Sequence, residues 1–228
     1  MLPATAVYAA VIWAIAARRA DDPKIESALR SWARMWFTVS GASLRVTGKE
    51  HVDPARSYVI VSNHLSAFDI FSHFIALPVP IRYLAKKELF RIPIFGSALR
   101  AIGVVEVDRR AGGSVHADIN RSAHLAVGYG RSLIIYPEGT RARDGVMRPF
   151  KKGAFTIASS MSLPVLPTAI TGSREVWNPG GKIVRPGVVH VEIFPPIETA
   201  GMRGEQVDAL RDRVHSLIHN RVQSAAGS

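Results

Sequence analysis

Seven short runs of β-branched and aliphatic residues alternate with helix-patterned segments along most of this chain, and this alternation restricts the fold more than any other feature. The strand-like runs are Ser43–Thr47, Tyr58–Val61, Arg82–Leu84, Val104–Val107, Leu133–Tyr136, Val165–Ile170 and Val188–Phe194. The helix-patterned segments are Ala67–Leu77, Ser114–Gly128, Gly153–Ser160 and Gly204–Gln223, the last with Val207, Leu210, Val214 and Leu217 on one face. Strands separated by helices pair in parallel and are covered by those helices, so the spacing predicts one layered α/β domain with a largely parallel mixed sheet. The 228 residues have room for one such domain, and no internal repeat or linker divides them.

Ahead of this body, Leu2 to Ala17 is almost wholly apolar and stops at Arg18 and Arg19. A helix of that length spans roughly 24 Å, short of the roughly 30 Å hydrocarbon core of a bilayer. A signal peptide is a second reading, but no positive charge precedes the run. Asp22 and Pro23 then open a second helix reaching to about Val39. Its stripe is Ile25, Ala28, Leu29, Trp32, Met35, Trp36 and Val39, with Lys24, Arg30 and Arg34 off it. Three of the four tryptophans, Trp13, Trp32 and Trp36, fall in these segments, and tryptophan favours the lipid–water boundary. The expectation is a membrane-interfacial helical hairpin over residues 1–40, followed by a main domain over 41–228 on the cytoplasmic face, peripheral or monotopic. The alternative is that the second helix simply packs on the domain core.

Net charge is +11, which calls for an anionic partner: nucleic acid, anionic lipid or a phosphorylated small molecule. No long Lys/Arg run, zinc-finger spacing or RNA-binding aromatic signature is present, so nucleic acid is not expected. The absence of cysteine excludes disulfides, thiolate metal sites and a cysteine nucleophile. His215 and His219 have the spacing of a helical metal site but lack a nearby third ligand, and no metal is expected.

Two polar motifs follow strand-like runs, where the active sites of such sheets gather. In Ser62-Asn63-His64-Leu65-Ser66-Ala67-Phe68-Asp69, the histidine and aspartate are five residues apart. Within one helix that spacing turns the side chains about 140° apart. They can meet if His64 lies in the turn before the helix and Ser66 caps it, which directs Asp69 back toward the helix entrance. A neutral imidazole there could take a proton from a hydroxyl, with Asp69 fixing its tautomer. No G-x-S-x-G elbow exists, so the hydroxyl is better supplied by a substrate. A plain capped helix with a turn histidine would look the same.

The second motif is Glu138-Gly139-Thr140-Arg141. Gly139 permits close backbone approach, and the Arg141 guanidinium suits a phosphate. Arg143, Arg148, Lys151 and Lys152 follow, and Lys152-Gly153 could open a helix whose N-terminus favours anions. A third segment, Gly103 to Arg109, reads as a strand ending in an Asp–Arg pair.

Together these segments resemble the 1-acylglycerol-3-phosphate acyltransferase family (lysophosphatidic acid acyltransferases, PlsC-like). Asn63-His64 with Asp69 is similar to the family's N-H-x4-D signature, and Gly103 to Arg109 to its second block, with Glu106 where an aromatic or aliphatic residue is usual. Glu138-Gly139-Thr140-Arg141 matches the third block, and Leu163-Pro164-Val165-Leu166-Pro167 resembles the fourth. Lys86-Lys87-Glu88-Leu89-Phe90 and Phe150-Lys151-Lys152-Gly153 also look like family segments, so the resemblance spans roughly residues 45–200. It implies His64 as base and Asp69 as orienting carboxylate. It implies a substrate-binding set drawn from Asn63, Lys86, Arg109, Glu138, Gly139, Thr140, Arg141 and Lys152. The implied acceptor is lysophosphatidic acid, and the implied donor is acyl-CoA or an acyl carrier protein thioester, with no cofactor. The remaining implied partners are a membrane surface and anionic lipid.

Overall fold

A computed structural model describes residues 2–107, 124, 126–142 and 144–226. Two helices lead, α1 (Leu2–Arg18) and α2 (Pro23–Ser40). The body follows as β1 (Ser43–Thr47), β2 (Val59–Ser62), α3 (Phe68–Ala76), β3 (Ile81–Lys86), α4 (Phe95–Ala101), β4 (Val105–Val107) and β5 (Ser132–Ile135). It ends with α5 (Gly153–Ser160), β6 (Val165–Thr171), α6 (Ser173–Val176), β7 (Val188–Ile193) and α7 (Glu205–Ala226). Short 3-10 turns occupy Lys49–His51 and Lys87–Arg91. All seven expected strands are present within two residues of their predicted ends. The predicted helix at Ser114–Gly128 falls mostly outside the described residues.

The strands form one sheet in the order β1-β7-β6-β2-β5-β3-β4. Five run parallel, while β7 is antiparallel to β6 and carries β1 beside it. The chain is thus a single α/β domain with a mostly parallel mixed sheet. The buried central strands β2, β5 and β6 alternate by residue between two cores. Ile60, Ile134, Leu166 and Ile170 face α2 and α3, while Val59, Val61, Leu133, Ile135, Val165 and Ala169 face α5 and α7.

The N-terminal hairpin is part of the first core. Ile25, Leu29, Ala33, Trp36 and Phe37 of α2 are buried there. Trp36 stacks on Phe71 at 4.7 Å and on Trp177 at 5.3 Å, and Trp32 meets Phe71 edge-on at 4.9 Å. The expected lipid-facing position of Trp32 and Trp36 is therefore corrected: partners on α3 and after α6 claim both rings. Trp13 alone of the three is exposed, and Val39, assigned to the buried stripe, is exposed where Phe37 is buried. Two buried arginines lock the hairpin to the sheet. Arg82 of β3 donates to Glu26 at 2.5 Å and to the carbonyls of Ile81 and Ile102, while Arg131 donates to Ile102 and to the carbonyl of Ala20. Among the described residues, no helix is long and apolar enough to cross a membrane.

Candidate active site

The carboxyl ends of β2, β5, β3 and β4 lie along one edge of the sheet, and β2 and β5 are neighbours in register at Val61 and Ile135. The turn after β2 and the loop after β5 therefore meet. Ala142 N donates to His64 O at 2.9 Å, tying the two loops together. Glu138 completes the tie: its carboxylate accepts from His64 N at 2.7 Å and from Arg148 N at 2.9 Å. Burial raises the Glu138 pKa, and these two backbone donors oppose that shift.

His64 stands in the turn before α3, and Asp69 lies in the first turn of that helix. The Asp69 side chain points back, and His64 Nδ1 donates to its Oδ2 at 2.8 Å. The same oxygen accepts from Leu65 N at 2.8 Å and Ser66 N at 2.9 Å. Ser66, expected as the cap, is corrected: the N-cap is Ala67, which has no side-chain cap bond, and Ser66 stands one residue earlier, its Oγ accepting from Phe68 N at 3.1 Å. Three N–H donors on one oxygen offset the cost of fully burying this carboxylate. With Nδ1 occupied, Nε2 is the ring atom able to accept a substrate proton.

Sequence reasoning missed the ring that holds this imidazole. Tyr136 stacks on His64 with centroids 3.9 Å apart and planes 8° from parallel. Its hydroxyl lies 3.2 Å from Nδ1 of His73, which donates to the Asp69 carbonyl at 2.7 Å. An aromatic face against the imidazole fixes its orientation. The available signal was an aromatic residue closing the strand that precedes Pro137.

His73 is wholly buried, and desolvation lowers its pKa from 6.5 to about 4. The unfolded chain takes up this proton first as pH falls, so the stability from a neutral His73 is complete above pH 6.5 and is lost toward pH 4. The loss should reach about 3 kcal/mol. Urea midpoints measured across this window should fall more steeply for the native chain than for His73→Gln, which keeps a donor but does not titrate. Parallel falls would remove His73 as the acid-sensitive group.

Other expected site residues divide. Arg141 and Thr140 are exposed beside the dyad's loop, and Lys86 is exposed at the end of β3. Arg141 makes no hydrogen bond or ion pair among the described residues. At Gly139, φ is +77°, and a Cβ would lie 3.0 Å from Lys151 Nζ, so Lys151 crosses this glycine. Lys152, expected at the site, instead pairs with Asp208 of α7 at 2.7 Å. Asn63 and Glu138, also expected to bind substrate, are turned into the fold. Asn63 Nδ2 donates to Ile170 O at 2.9 Å, and its Oδ1 accepts from Ile170 N at 2.8 Å. Irregular turns lack ladder partners, and buried side chains supply them here. Arg109 lies outside the described residues, and Glu106 is exposed on the edge strand β4, where it disturbs no packing. His215 and His219 stack on each other at 5.7 Å along α7. No group of three metal-ligating side chains occurs among the described residues.

The acyltransferase family model matches residues 43–171, which include the dyad and the Glu138–Arg141 loop. The chain is also 30% identical over 215 residues to 1-acyl-sn-glycerol-3-phosphate acyltransferase alpha of Mus musculus, across 93% of this chain and 74% of that protein. The chain belongs to the 1-acylglycerol-3-phosphate acyltransferase family. A chloroplastic relative from Brassica napus, 1-acyl-sn-glycerol-3-phosphate acyltransferase BAT2, is 37% identical over 191 residues, across 82% of this chain and 54% of its own length. The crystal structure of the 1-acyl-sn-glycerophosphate (LPA) acyltransferase PlsC from Thermotoga maritima shares the fold, with TM-score 0.79 and 23% identity over 100% of this chain and 99% of that one. The chain is therefore an acyltransferase, and the α/β framework and N-terminal helices are those of the family's fold.

Proposed function

We propose that this acyltransferase moves a fatty acyl group from a coenzyme A or acyl carrier protein thioester to the sn-2 hydroxyl of 1-acylglycerol 3-phosphate, giving phosphatidic acid. The observation that carries this reading is the His64–Asp69 contact in a turn that Ala142 N, next to the exposed Arg141, ties to the loop after β5. The acceptor phosphate docks on Arg141, with Lys86 and Arg109 as further ligands, and presents its hydroxyl to His64 Nε2. The imidazole removes the proton as the oxygen attacks the thioester carbonyl. The tetrahedral intermediate then collapses, the C–S bond breaks, and the thiolate receives the proton from His64. Every proton and electron pair moves between acceptor, donor and imidazole, so the step calls for no cofactor.

The backbone donors of the motif turn are largely spent. Of the N–H groups from His64 to Ile70, only that of Ala67 lacks an acceptor among the described residues. Ala67 N–H is therefore the turn's candidate for stabilising the oxyanion. The chain would work on a membrane surface, at its cytoplasmic face. The outer side of α1 supports this, with Val7 63%, Val11 46% and Trp13 49% exposed.

The test is an assay of purified protein with several acyl-CoAs and acceptors, with products read by mass. Phosphatidic acid is expected, and free fatty acid alone would mark a thioesterase instead. Arg141→Ala should raise KM for the phosphate-bearing acceptor about 10- to 100-fold, the value of one charge-assisted contact, with a smaller effect on kcat. Unchanged acceptor kinetics would remove Arg141 from the phosphate site.

A further inference from the structure

A strained and outward-facing turn lies between the 3-10 segment Lys87–Arg91 and α4. Ile94 has φ 66° and ψ −54°, and Phe95 N donates to Pro93 O at 2.6 Å. This is the tight γ-turn of the rare, strained hand, with a β-branched residue at its centre. The surroundings enforce it. Ile92 O accepts from Gly96 N at 2.8 Å, and Ile94 O accepts from Ala98 N at 2.9 Å. Gly96 sits so close to Phe90 that a Cβ would fall 2.1 Å from the Phe90 carbonyl oxygen. Glycine at position 94 would make the same turn without strain. Isoleucine there contributes little to the core, being 54% exposed, and Ile92 and Leu89 beside it are 46% and 39% exposed. More than a third of each of these side chains faces outward.

We propose that the segment Leu89–Ile94 is a second bilayer-inserting element, distinct from the N-terminal helices, which seats the acceptor-phosphate side of the site at the depth of lipid headgroups. This rests on the membrane-surface reading above. A lipid surface fits better than a protein partner for two reasons on the molecule itself. Lys86, Lys87 and Arg91 are exposed around the apolar tip, with Glu88 the opposing acid, so cations ring an apolar wedge as anionic headgroups require. The turn also leads into α4, and α4 packs on α1, so the tip is held to the helix that carries the exposed Val7, Val11 and Trp13. Lys86 ends β3 and caps the 3-10 turn that runs into this segment, so insertion would bring the phosphate-binding edge of the sheet to the headgroups.

The experiment is flotation of the full chain with vesicles of phosphatidylcholine and phosphatidic acid at roughly four to one, with pure phosphatidylcholine vesicles alongside. Three variants are compared: Ile92→Ser with Ile94→Ser, Val7→Ser with Val11→Ser and Trp13→Ser, and Ile94→Gly alone. The turn pair should weaken partitioning about 10- to 100-fold. It should lower activity on vesicle-borne acceptor while leaving kcat/KM on a dispersed short-chain acceptor unchanged. Ile94→Gly should weaken partitioning as well, yet hold or raise Tm, a combination that a purely structural residue would not give. If the turn pair bound like the native chain while the α1 variant did not, the inserting role of the turn would fail and the membrane reading would stand. If the native chain bound neither vesicle, the membrane reading and this proposal would fail together. A fall in Tm with Ile94→Gly, or lost activity of the turn pair on the dispersed acceptor, would assign the turn to the fold or the site and overturn the proposal.

Discussion

Asp69→Asn should lower kcat about a thousand- to ten-thousand-fold, with little change in KM for either substrate. The asparagine oxygen can occupy the position of Oδ2 and still accept from Leu65 N, Ser66 N and His64 Nδ1, so the turn should keep its shape. What is lost is the negative charge that stabilises the imidazolium formed as the hydroxyl is deprotonated. The new amide group also falls where Oδ1 is buried without a partner among the described residues, and that unsatisfied donor should cost about 1–3 kcal/mol of stability. His64→Ala should be at least as damaging to kcat. The decisive measurement is the double variant. If His64 and Asp69 act as one unit, Asp69→Asn in the His64→Ala background should change kcat by less than about threefold. Near-native acyl transfer by either single variant, or additive losses in the double, would break the dyad assignment.

Features governed by neighbours in sequence were legible before the structure. The strand runs announced themselves because β2 and β5 are buried on both faces and carry runs of three consecutive aliphatic residues. The His64–Asp69 contact was legible because five residues and a helix start set its geometry locally. Whatever depended on distant partners was not. Asn63 and Glu138 lie within recognisable motifs, yet their partners Ile170 and Arg148 come from other segments, so a substrate role and a clamping role look alike in one dimension. Trp32 and Trp36 fit an interfacial helix equally well until Phe71 and Trp177 are seen against them. The stacking of Tyr136 on His64 follows from the adjacency of β2 and β5, which alternation of elements does not specify. The seven residues of α4 are too few to establish a helical period, and Pro93 and Gly103 at its borders suggest loop.

Glu26→Ala should lower stability by about 3 kcal/mol or more, the largest loss expected from any single change outside the motifs. Arg82 is 1% exposed, and among the described residues the Glu26 carboxylate is its only acidic partner, at 2.5 Å. Carbonyls of Ile81 and Ile102 satisfy other guanidinium donors but supply no compensating charge. Arg131 makes the balance worse, because it shares the Ile102 carbonyl, and burial followed by repulsion from Arg82 lowers its pKa. Removing Glu26 leaves two close guanidinium groups in a desolvated site without their carboxylate. For a chain of this length the corresponding fall in Tm is about 6–12 °C, measurable by calorimetry. Glu26→Leu with Arg82→Met should recover most of the loss, since a buried pair replaced together by apolar groups is often neutral. A single-variant fall under about 2 °C would show that water reaches Arg82 in solution. Because Glu26 lies in α2 and Arg82 in β3, the same pair ties the hairpin to the strand that ends at Lys86. This ion pair, with the bond from Arg131 to the Ala20 carbonyl, thus holds the hairpin to the sheet, and a chain lacking the pair should lose vesicle-borne activity at temperatures below its unfolding transition.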